Sequence, residues 1–301
     1  MSEYHIPVLL QPSVEALITD PNGTYADLTF GGGGHSRAII EKLDKGRLFA
    51  FDQDQDAANQ AEKIDFEGFT FIKSNFRFAK RYLKVYSVTA LDGILADLGV
   101  SSHQLDEAER GFSIRFDAPL DMRMDREQPV SAADIIANYD VAALHKMLGC
   151  YGEVTNAKTL AEGIVAARTR KPIRTIADLL AVLKKFAPRF KQYKYYAQVF
   201  QALRIEVNDE MGALRDMLHQ AAELLKPGGR LVVLSYHSLE DRLVKNFINK
   251  GKFEGEVEKD IYGNDIKPFK ALNRQVIEPS EEEIKLNSRA RSAKMRIAIK
   301  L

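Results

Sequence analysis

The sequence lacks three features that would direct a protein to a membrane or to the cell exterior. It has one cysteine among 301 residues, Cys150, which excludes an internal disulfide and fits a reducing compartment. It has no run of about eighteen apolar residues, so we expect neither a membrane-spanning helix nor a membrane partner. Residues 1–7 show neither the basic nor the apolar stretch of a secretion signal. These absences predict a cytoplasmic protein.

A net charge is almost absent as well, but the total of +1 conceals an uneven distribution. The segment 154–205 carries eleven basic and two acidic residues, a net charge of +9, and the rest of the chain carries −8. Four aromatic residues lie among these cations: Phe190, Tyr193, Tyr195 and Tyr196. Such a surface can neutralise phosphates and stack on unpaired bases, although a run of charge is also typical of a solvated helix face.

The most informative stretch is an apolar run that ends in Asp27 and leads into four consecutive glycines, Gly31 to Gly34. A chain keeps such glycines where the backbone takes positive φ or lets a ligand touch it. Helical apolar spacing resumes at Ser36, which predicts a strand, a loop and a helix whose first amides point outward. A second apolar run ends in Asp52, at the position where an acid usually binds ribose. We predict a nucleotide-type pocket, with a tight turn of an ordinary α/β domain as the alternative.

The glycine pattern excludes two common kinds of nucleotide site. A dinucleotide fingerprint needs a third glycine that neither reading frame supplies, and a P-loop needs Gly-Lys-Ser/Thr after its glycines. The spacing Asp27-x-x-x-Gly31-x-Gly33 is instead similar to the first motif of the class I adenosylmethionine-dependent methyltransferases, with Thr29 where that class commonly has glycine. Because S-adenosylmethionine has no phosphate, it needs no cationic cradle.

No metal site is expected. Three acids, Asp52, Asp54 and Asp56, have the spacing of a calcium loop, but the positions that need glycine and glutamate hold Ala57 and Lys63. Asp54 or Asp56 is therefore interpreted as the N-cap of a helix that runs to about residue 64.

Strand patterns lie on both sides of a helical segment. Further strands are predicted at 69–76, 91–97, 230–235, 275–277 and 294–300, the last two as a hairpin after a mobile loop at 251–268. Between 106 and 206 the strand pattern disappears, and capping boxes at 131–134 and 175–178 start helices. We predict an α/β fold of the class I (Rossmann-like) type: a seven-stranded methyltransferase domain, 1–105 and 207–301, with an all-helical insertion, 106–206, for substrate recognition.

Three side chains lie at or just after predicted strand ends, where parallel sheets place their ligands. Phe76 is interpreted as stacking on adenine or as a core residue. Asp97 is interpreted as the group that orients an exocyclic amine, or as a structural or cofactor-binding acid. His237 is interpreted as contacting the substrate or its base, or as only bracing the turn of a capping box formed by Ser238 and Asp241.

The position of the single cysteine bears on the reaction. Methylation of carbon 5 of a pyrimidine needs a cysteine nucleophile, yet Cys150 lies in the insertion, far in sequence from every predicted strand end. The sequence therefore favours direct attack by an exocyclic amine or hydroxyl.

Motifs along nearly the whole chain resemble those of the bacterial small-subunit ribosomal RNA cytosine-N4 methyltransferase family. They are His5-x-Pro7-Val-Leu, Asp27-x-Thr29-x-Gly31-x-Gly33-Gly34-His35-Ser36, Asp97-Leu-Gly-Val-Ser-Ser102-x-Gln104-Leu-Asp106, Arg110-Gly-Phe-Ser113, Pro119-Leu-Asp-Met-Arg-Met-Asp125, Phe200-Gln-Ala-Leu-Arg-Ile205 and His237-Ser-Leu-Glu-Asp-Arg242. One departure is Tyr236, where the family usually has phenylalanine.

The resemblance implies methylation of N4 on a cytosine in the decoding (P-site) region of 16S rRNA, with S-adenosylmethionine as donor. It implies cofactor contacts from Gly33, Gly34 and His35 in the loop, Asp52 at the ribose, Phe76 and Asp97 near adenine or methionine, and Gln104 after the fourth strand. The alternatives are a ribosome-assembly factor that uses S-adenosylmethionine only as a ligand, and a small-molecule methyltransferase. The sequence leaves open whether the substrate is naked RNA or the small ribosomal subunit, and whether the protein is a homodimer.

Overall fold

The computed structural model describes residues 7–273 and 275–301, so His5 of the first family-like motif lies outside the described residues. The chain divides into two compact units. The first unit comprises Met1–Gly99 and Gly212–Leu301, and the second comprises Val100–Met211. The predicted insertion, 106–206, lies within the second unit.

The first unit is built on a seven-stranded sheet. In chain order the strands are β1 (Thr24–Asp27), β2 (Arg47–Asp52), β3 (Phe69–Lys73), β4 (Leu91–Asp97), β5 (Leu225–Ser235), β6 (Glu258–Lys259), β7 (Asp265–Ile266), β8 (Phe269–Ala271) and β9 (Lys294–Lys300). The sheet order is β3-β2-β1-β4-β5-β9-β8, with β6 and β7 forming a separate hairpin. The first five strands are parallel, and β9 is antiparallel to both β5 and β8. The predicted class I α/β architecture is confirmed.

Helices account for most of the remaining regular structure. In chain order they are α1 (Leu10–Leu17), α2 (Gly34–Ile40), α3 (Gln55–Ala61), α4 (Ala79–Val85), α5 (Ser102–Asp106), α6 (Ala132–Asn138), α7 (Val141–Gly152), α8 (Ala157–Arg168), α9 (Ile176–Leu183), α10 (Gln192–Asn208), α11 (Glu210–Leu224), α12 (Ser238–Lys250) and α13 (Glu281–Leu286), with 3-10 turns at Phe76–Phe78, Ala108–Arg110 and Ser288–Ser292. Asp54, rather than Asp56, is the N-cap of α3. Within the described residues, no helix has the length and apolar character needed to cross a bilayer.

The predicted strand at 275–277 is wrong. Ile277 makes only an isolated bridge to Met295, and the seventh strand of the sheet is β8. Phe269 of β8 is fully buried, and its ring lies 6.2 Å from that of Phe247 on α12. A three-residue strand held by one buried ring is too short to show the alternation on which the prediction depended. Part of the segment predicted as a mobile loop, 251–268, forms the β6–β7 hairpin.

The second unit is helical and has its own apolar core. The predicted capping boxes are present: Ser131 with Asp134 begins α6, and Thr175 with Asp178 begins α9. The loop before α6 is ordered by buried polar groups. Fully buried Arg110 donates to the carbonyl of Met124 at 3.0 Å, and the Asn208 side chain accepts from Met124 N at 2.8 Å. The Arg110 side chain therefore has a structural role in this loop.

Candidate active site

The carboxyl edge of the parallel sheet gathers three aspartates. Asp27 at the end of β1 lies opposite Ala50 of β2 and Leu95 of β4. Asp52 lies two residues after Ala50 on β2, and Asp97 lies two residues after Leu95 on β4. Strands β2 and β4 flank β1 in the sheet. Because side chains alternate along a strand, the register places all three carboxylates on one face of the sheet. Their mutual repulsion raises the pKa of Asp27 and of Asp52, after the larger effect of burial.

The glycine loop is tied to the sheet by its polar neighbours. Asp27 Oδ2 accepts from Ser36 Oγ at 2.6 Å, and its Oδ1 accepts from Thr29 N at 3.1 Å. Thr29 Oγ1 in turn accepts from Asp97 N at 2.6 Å, which joins the loop to β4. Asp27 is therefore a fully buried anchor of the loop, and Thr29, the departure from the class motif, replaces a glycine with a bonded hydroxyl.

Two glycines of the loop are required by close packing. Gly33 has φ +79°, and a Cβ there would lie 2.6 Å from the ring of Phe30. A Cβ on Gly34 would lie 2.2 Å from Cγ of Pro7. Any larger residue would have to displace Phe30, Pro7 or the loop itself, so both glycines fix the position of the loop.

Asp52 ends β2 with its carboxylate directed at the loop. Oδ2 accepts from Gly31 N at 2.8 Å, and Oδ1 accepts from Asp54 N at 2.9 Å. Burial raises the pKa of Asp52 to about 6, although these two amide bonds act in the opposite direction. Each carboxylate oxygen has more than one acceptor site, so Asp52 can still accept from the hydroxyls of a ribose.

Asp97 lies at the end of β4 between a phenol and an imidazole. Tyr236 Oη donates to Asp97 Oδ1 at 2.7 Å, and His35 Nδ1 lies 3.7 Å from Asp97 Oδ2. Burial raises the pKa of Asp97 to about 7; the hydrogen bond from Tyr236 lowers this pKa and the charge of Glu240 raises it. The carboxyl group is 22% exposed and titrates near neutrality, as a group that exchanges protons with a substrate requires.

His35 is buried in the first turn of α2. Burial lowers the pKa of His35, and the charge of Asp27 only partly offsets this effect. A neutral imidazole 3.7 Å from Asp97 forms neither an ion pair nor a hydrogen bond. His35 therefore places a neutral polar ring, rather than a positive charge, beside the carboxylate of Asp97.

Phe76 and Gln104 lie in different units. Phe76 is half-buried and begins the 3-10 turn that follows β3, so its ring is not fully absorbed in the core. Gln104 belongs to the second unit, where its Oε1 accepts from Ser101 N at 3.0 Å in a capping box at the start of α5. This hydrogen bond gives the amide oxygen of Gln104 a partner within the protein, so the oxygen does not need one from a cofactor.

His237 braces a turn, but not in the predicted register. The N-cap of α12 is His237 itself rather than Ser238: its Nδ1 accepts from Glu240 N at 3.4 Å, and the Glu240 carboxylate accepts from the amides of Tyr236 and His237. The prediction missed histidine because Ser is a much more common N-cap. His237 Nε2 also lies 3.1 Å from Glu240 Oε1.

Sequence reasoning missed Tyr236 and Glu240 as neighbours of Asp97. Tyr236 is bonded to Asp97 directly, and buried Glu240 acts on it through charge. The one available signal was the replacement of the usual phenylalanine by Tyr236, which adds a hydroxyl at the end of β5.

The charge and shape of this edge fit S-adenosylmethionine. The loop from Asp27 to Ser36 contains no lysine or arginine, whereas three carboxylates converge beside it. Such a field suits a sulfonium cation and opposes a phosphate. Asp52 would accept from the ribose hydroxyls, the glycine loop would contact the methionine portion, and the half-buried Phe76 ring offers a surface for adenine.

Comparison with known proteins agrees with this fit. The MraW methylase family matches residues 2–301. Three similar relatives are each named ribosomal RNA small subunit methyltransferase H. That of Cytophaga hutchinsonii is 58% identical over 98% of this chain and 99% of its own. That of Flavobacterium johnsoniae is 54% identical over 99% and 98%, and that of Amoebophilus asiaticus is 53% identical over 98% and 96%. The chain belongs to the MraW methylase family.

Proposed function

We propose that this protein transfers a methyl group from S-adenosylmethionine to the exocyclic N4 amine of a cytosine in the decoding region of 16S rRNA. The observation that carries the proposal is the Asp97 carboxylate, bonded to Tyr236 at the carboxyl edge of a class I methyltransferase sheet. Membership of a methylase family supports methyl transfer, and the names of the relatives support the RNA of the small ribosomal subunit. Such a substrate locates the reaction in the bacterial cytoplasm.

On the donor side, the chain's own residues bind and orient. Asp52 accepts hydrogen bonds from the ribose, and Gly33 and Gly34 let the loop pack closely against Phe30 and Pro7, which fixes the position of the loop backbone. Bound S-adenosylmethionine supplies an electrophilic methyl group on a positively charged sulfur. Because the loop is anchored by Asp27 and Ser36 before any ligand arrives, little ordering is left for the binding step.

On the acceptor side, Asp97 compensates for a weak nucleophile. The cytosine amine is weak because its lone pair is delocalised into the ring, and a carboxylate that accepts from an amine hydrogen returns electron density to nitrogen. Transfer forms one N–C bond, breaks one S–C bond and leaves one surplus proton on the amine. Asp97, with a pKa of about 7, can accept that proton and release it to water.

The single cysteine supports this chemistry over attack at a ring carbon. Cys150 is an exposed thiol on α7 of the second unit. A covalent mechanism at carbon 5 needs a nucleophile held within a pocket, which this exposed helix surface does not provide.

The test is methyl transfer to RNA with two matched aspartate variants. Small subunits and naked 16S rRNA from cells without this protein are incubated with S-adenosylmethionine, and their nucleosides are identified by mass spectrometry. We expect N4-methylcytidine with the parent and at least a 100-fold lower rate with Asp97→Ala, because general-base groups commonly contribute ~10²–10⁴-fold.

The control is Asp92→Asn, at the other end of β4. Asp92 pairs with Lys226 at 2.9 Å and takes no part in the site, so this variant should retain the parent's rate. Donor binding by calorimetry without any methylated nucleoside on either RNA substrate would instead support an assembly factor. A different methylated nucleoside would reject the assignment to cytosine N4.

A further inference from the structure

A surface cleft of about 400 Å³ opens in the second unit beside helices α9 and α10. Its volume is within the range of small-ligand sites. The residues that line it are Ile114, Leu180, Ala181, Lys184, Gln192, Tyr193 and Tyr196. We call it the stacking cleft. It combines apolar side chains and two aromatic rings with a cation at its edge, and no residue of the candidate active site lines it.

The tyrosines of α10 divide into a structural residue and two exposed rings. Tyr195 is buried and its hydroxyl donates to Asn156 Oδ1 at 2.9 Å, so it belongs to the core despite its predicted place among RNA-contacting aromatics. Tyr193 is 79% exposed, and Tyr196 is half-buried. Their ring centroids lie 6.4 Å apart at 73°, so the edge of one ring meets the face of the other. This contact orients Tyr193 while leaving most of its surface in water.

Phe190 adds a third aromatic ring before α10. It is fully exposed, and its backbone has φ +65°, a conformation that is unfavourable for a non-glycine residue. Neither property stabilises the isolated chain. An exposed, strained phenylalanine next to an exposed tyrosine is typical of a surface that binds a partner.

Five exposed basic residues lie between positions 184 and 194, close in sequence to Phe190 and Tyr193. We call them the cationic cluster: Lys184, Lys185, Arg189, Lys191 and Lys194. Across the part of the chain that the structure describes, none of the five forms an ion pair. Residues 179–205 contain no aspartate or glutamate. Some basic residues elsewhere in the unit are paired, among them Lys171 with Asp178 and Arg204 with Glu210. The cluster is therefore available to an external anion.

Together these features favour a single-stranded polyanion with flat rings. A duplex would use the cationic cluster but keep its bases stacked and away from Tyr193. A lipid surface is bound by a broad protruding apolar face, whereas here Ile114, Leu180 and Ala181 line a concave cleft and exposed Phe190 is flanked in sequence by cations. An RNA strand with unpaired bases can use both the cationic cluster and the stacking cleft, since its phosphates contact the cations while a base stacks on an aromatic ring.

We propose that the stacking cleft binds one unpaired nucleobase of an RNA strand against Tyr193, with Lys184 neutralising an adjacent phosphate. The inference rests on the proposed function, which supplies RNA as the substrate, and it adds a base contact besides the methylated cytosine. Tyr193 is a substrate-binding residue in this proposal and has no part in the chemical step.

The first experiment measures binding of a labelled, single-stranded twelve-nucleotide RNA of mixed sequence to the full chain by fluorescence anisotropy. We expect Tyr193→Ala to weaken binding about tenfold, since stacking is worth ~1–3 kcal/mol per base, and Tyr193→Phe to restore it. Tyr262→Ala is the matched control, because Tyr262 is 83% exposed in the first unit and should bind RNA as the parent does. Tyr193 is so exposed that its loss should leave folding intact.

The second experiment separates stacking from charge. With an abasic strand of the same length, the parent and Tyr193→Ala should bind equally, because only phosphates remain. Lys184→Gln should weaken both strands a few-fold, whereas Lys171→Gln, which removes a paired lysine, should change neither. Equal binding of the base-bearing strand by the parent and Tyr193→Ala would overturn the proposal. So would equal affinity of the parent for the base-bearing and abasic strands.

Other occupants give their own signatures. If Tyr193→Ala left RNA binding unchanged but abolished binding to phosphatidylglycerol vesicles, the cleft would be a lipid site. If it left RNA binding unchanged and converted a dimer to a monomer in sedimentation, the cleft would hold a second copy of the chain. Either result overturns the proposal. Failure of the proposed function is seen separately, as absence of methylated cytidine with RNA binding through Tyr193 intact.

Discussion

The carboxyl edge of the sheet in the first unit and the α9–α10 surface of the second unit use polar residues in opposite ways. At the edge, carboxylates are bonded to the protein itself: Asp27 to Ser36, Asp52 to the amide of Gly31, and Asp97 to Tyr236. On the α9–α10 surface, the described structure shows no ion pair for any member of the cationic cluster, and Tyr193 and Phe190 face solvent.

The difference follows from the ligand that each region suits. A small donor is bound best by protein groups that are already oriented, because reorganisation of the site would reduce the affinity. A long, hydrated polyanion is bound by releasing its counterions, which needs exposed charge rather than fixed geometry. The first region should therefore respond to sub-ångström changes and the second to salt.

The largest effect should come from Gly33→Ala, which attacks the fixed geometry. The new Cβ would lie 2.6 Å from the Phe30 ring in a backbone at φ +79°, so the loop has to move. We expect the affinity for S-adenosylmethionine, measured by calorimetry, to fall about 10- to 100-fold, roughly 1.4–2.7 kcal/mol.

The control for this prediction is Gly228→Ala in β5. Gly228 also has positive φ, +83°, but nothing lies within 4 Å of the added Cβ. It shares the backbone strain without the clash, so donor affinity should stay within about twofold of the parent while stability falls by ~1 kcal/mol. Equal losses of affinity in the two variants would show that the close packing at Phe30 is unimportant.

The second prediction concerns Asp97→Asn, which should raise the stability of the protein at high pH although it removes activity. The folded pKa of Asp97, about 7, exceeds the ordinary value of 3.8, so the neutral carboxyl stabilises the fold below pH ~4 and this contribution is lost as pH rises through about 7. Asp97→Asn should therefore unfold like the parent at pH 4 but be more stable at pH 8 by about 1–4 kcal/mol, while losing methyl transfer.

Thermal unfolding at the two pH values measures this effect. Asparagine retains an oxygen that can accept from Tyr236, so the hydrogen bond is not the variable. A destabilised Asp97→Asn protein at pH 8 would contradict the view that the active-site charge is maintained at the expense of stability.

The third effect separates the two regions by salt. If each of the five cations of the cationic cluster contacts one phosphate, the logarithm of the KM for RNA should rise with the logarithm of salt with a slope of about 3.5. Doubling the salt concentration then raises the KM about tenfold. The dissociation constant for S-adenosylmethionine should change less than twofold over the same range, and a parallel rise of both constants would remove the proposed distinction.

The smallest effect is a shift in pH dependence produced by the neighbours of Asp97. The rate should rise with pH through about 7 as Asp97 ionises. Tyr236→Phe removes a hydrogen bond that lowers the pKa, so the rise should move up by about one unit. Glu240→Gln removes a negative charge that raises the pKa, so the rise should move down.

The two variants serve as controls for each other. A merely structural role for Tyr236 would lower the rate at every pH, whereas a role through Asp97 costs a few-fold at pH 6.5 and nothing at pH 9. Shifts in the same direction for Tyr236→Phe and Glu240→Gln would contradict the assigned causes of the Asp97 pKa.

Much of the fold was predictable because its signals are local. The apolar runs that end in Asp27, Asp52 and Asp97 are strands β1, β2 and β4, and parallel strands buried on both faces are read readily from such runs. The helix caps at Ser131 and Thr175 were predictable for the same reason. Strand β8 was missed because three residues with one buried ring have no measurable period.

The candidate site was predictable only in part. The Gly33 loop and Asp97 follow from spacing along the chain, and their cofactor roles stay predictions. Two details required the structure: His237 rather than Ser238 caps α12, and Tyr195 is separated from Tyr193 by burial. On a helix, whether a side chain is buried or exposed depends on which face of the helix meets the core. The presence of several tyrosines close together in the sequence does not identify that face.

The sequence by itself determined strands β1, β2 and β4, the glycine loop and the excess of positive charge in one segment, because each is a property of neighbouring residues. Only the tertiary structure decided which charges are paired, which rings face water, and that Tyr236 meets Asp97 from 139 positions away. A pKa or a contact depends on distances through space, and folding brings together groups whose separation along the chain carries no information about them.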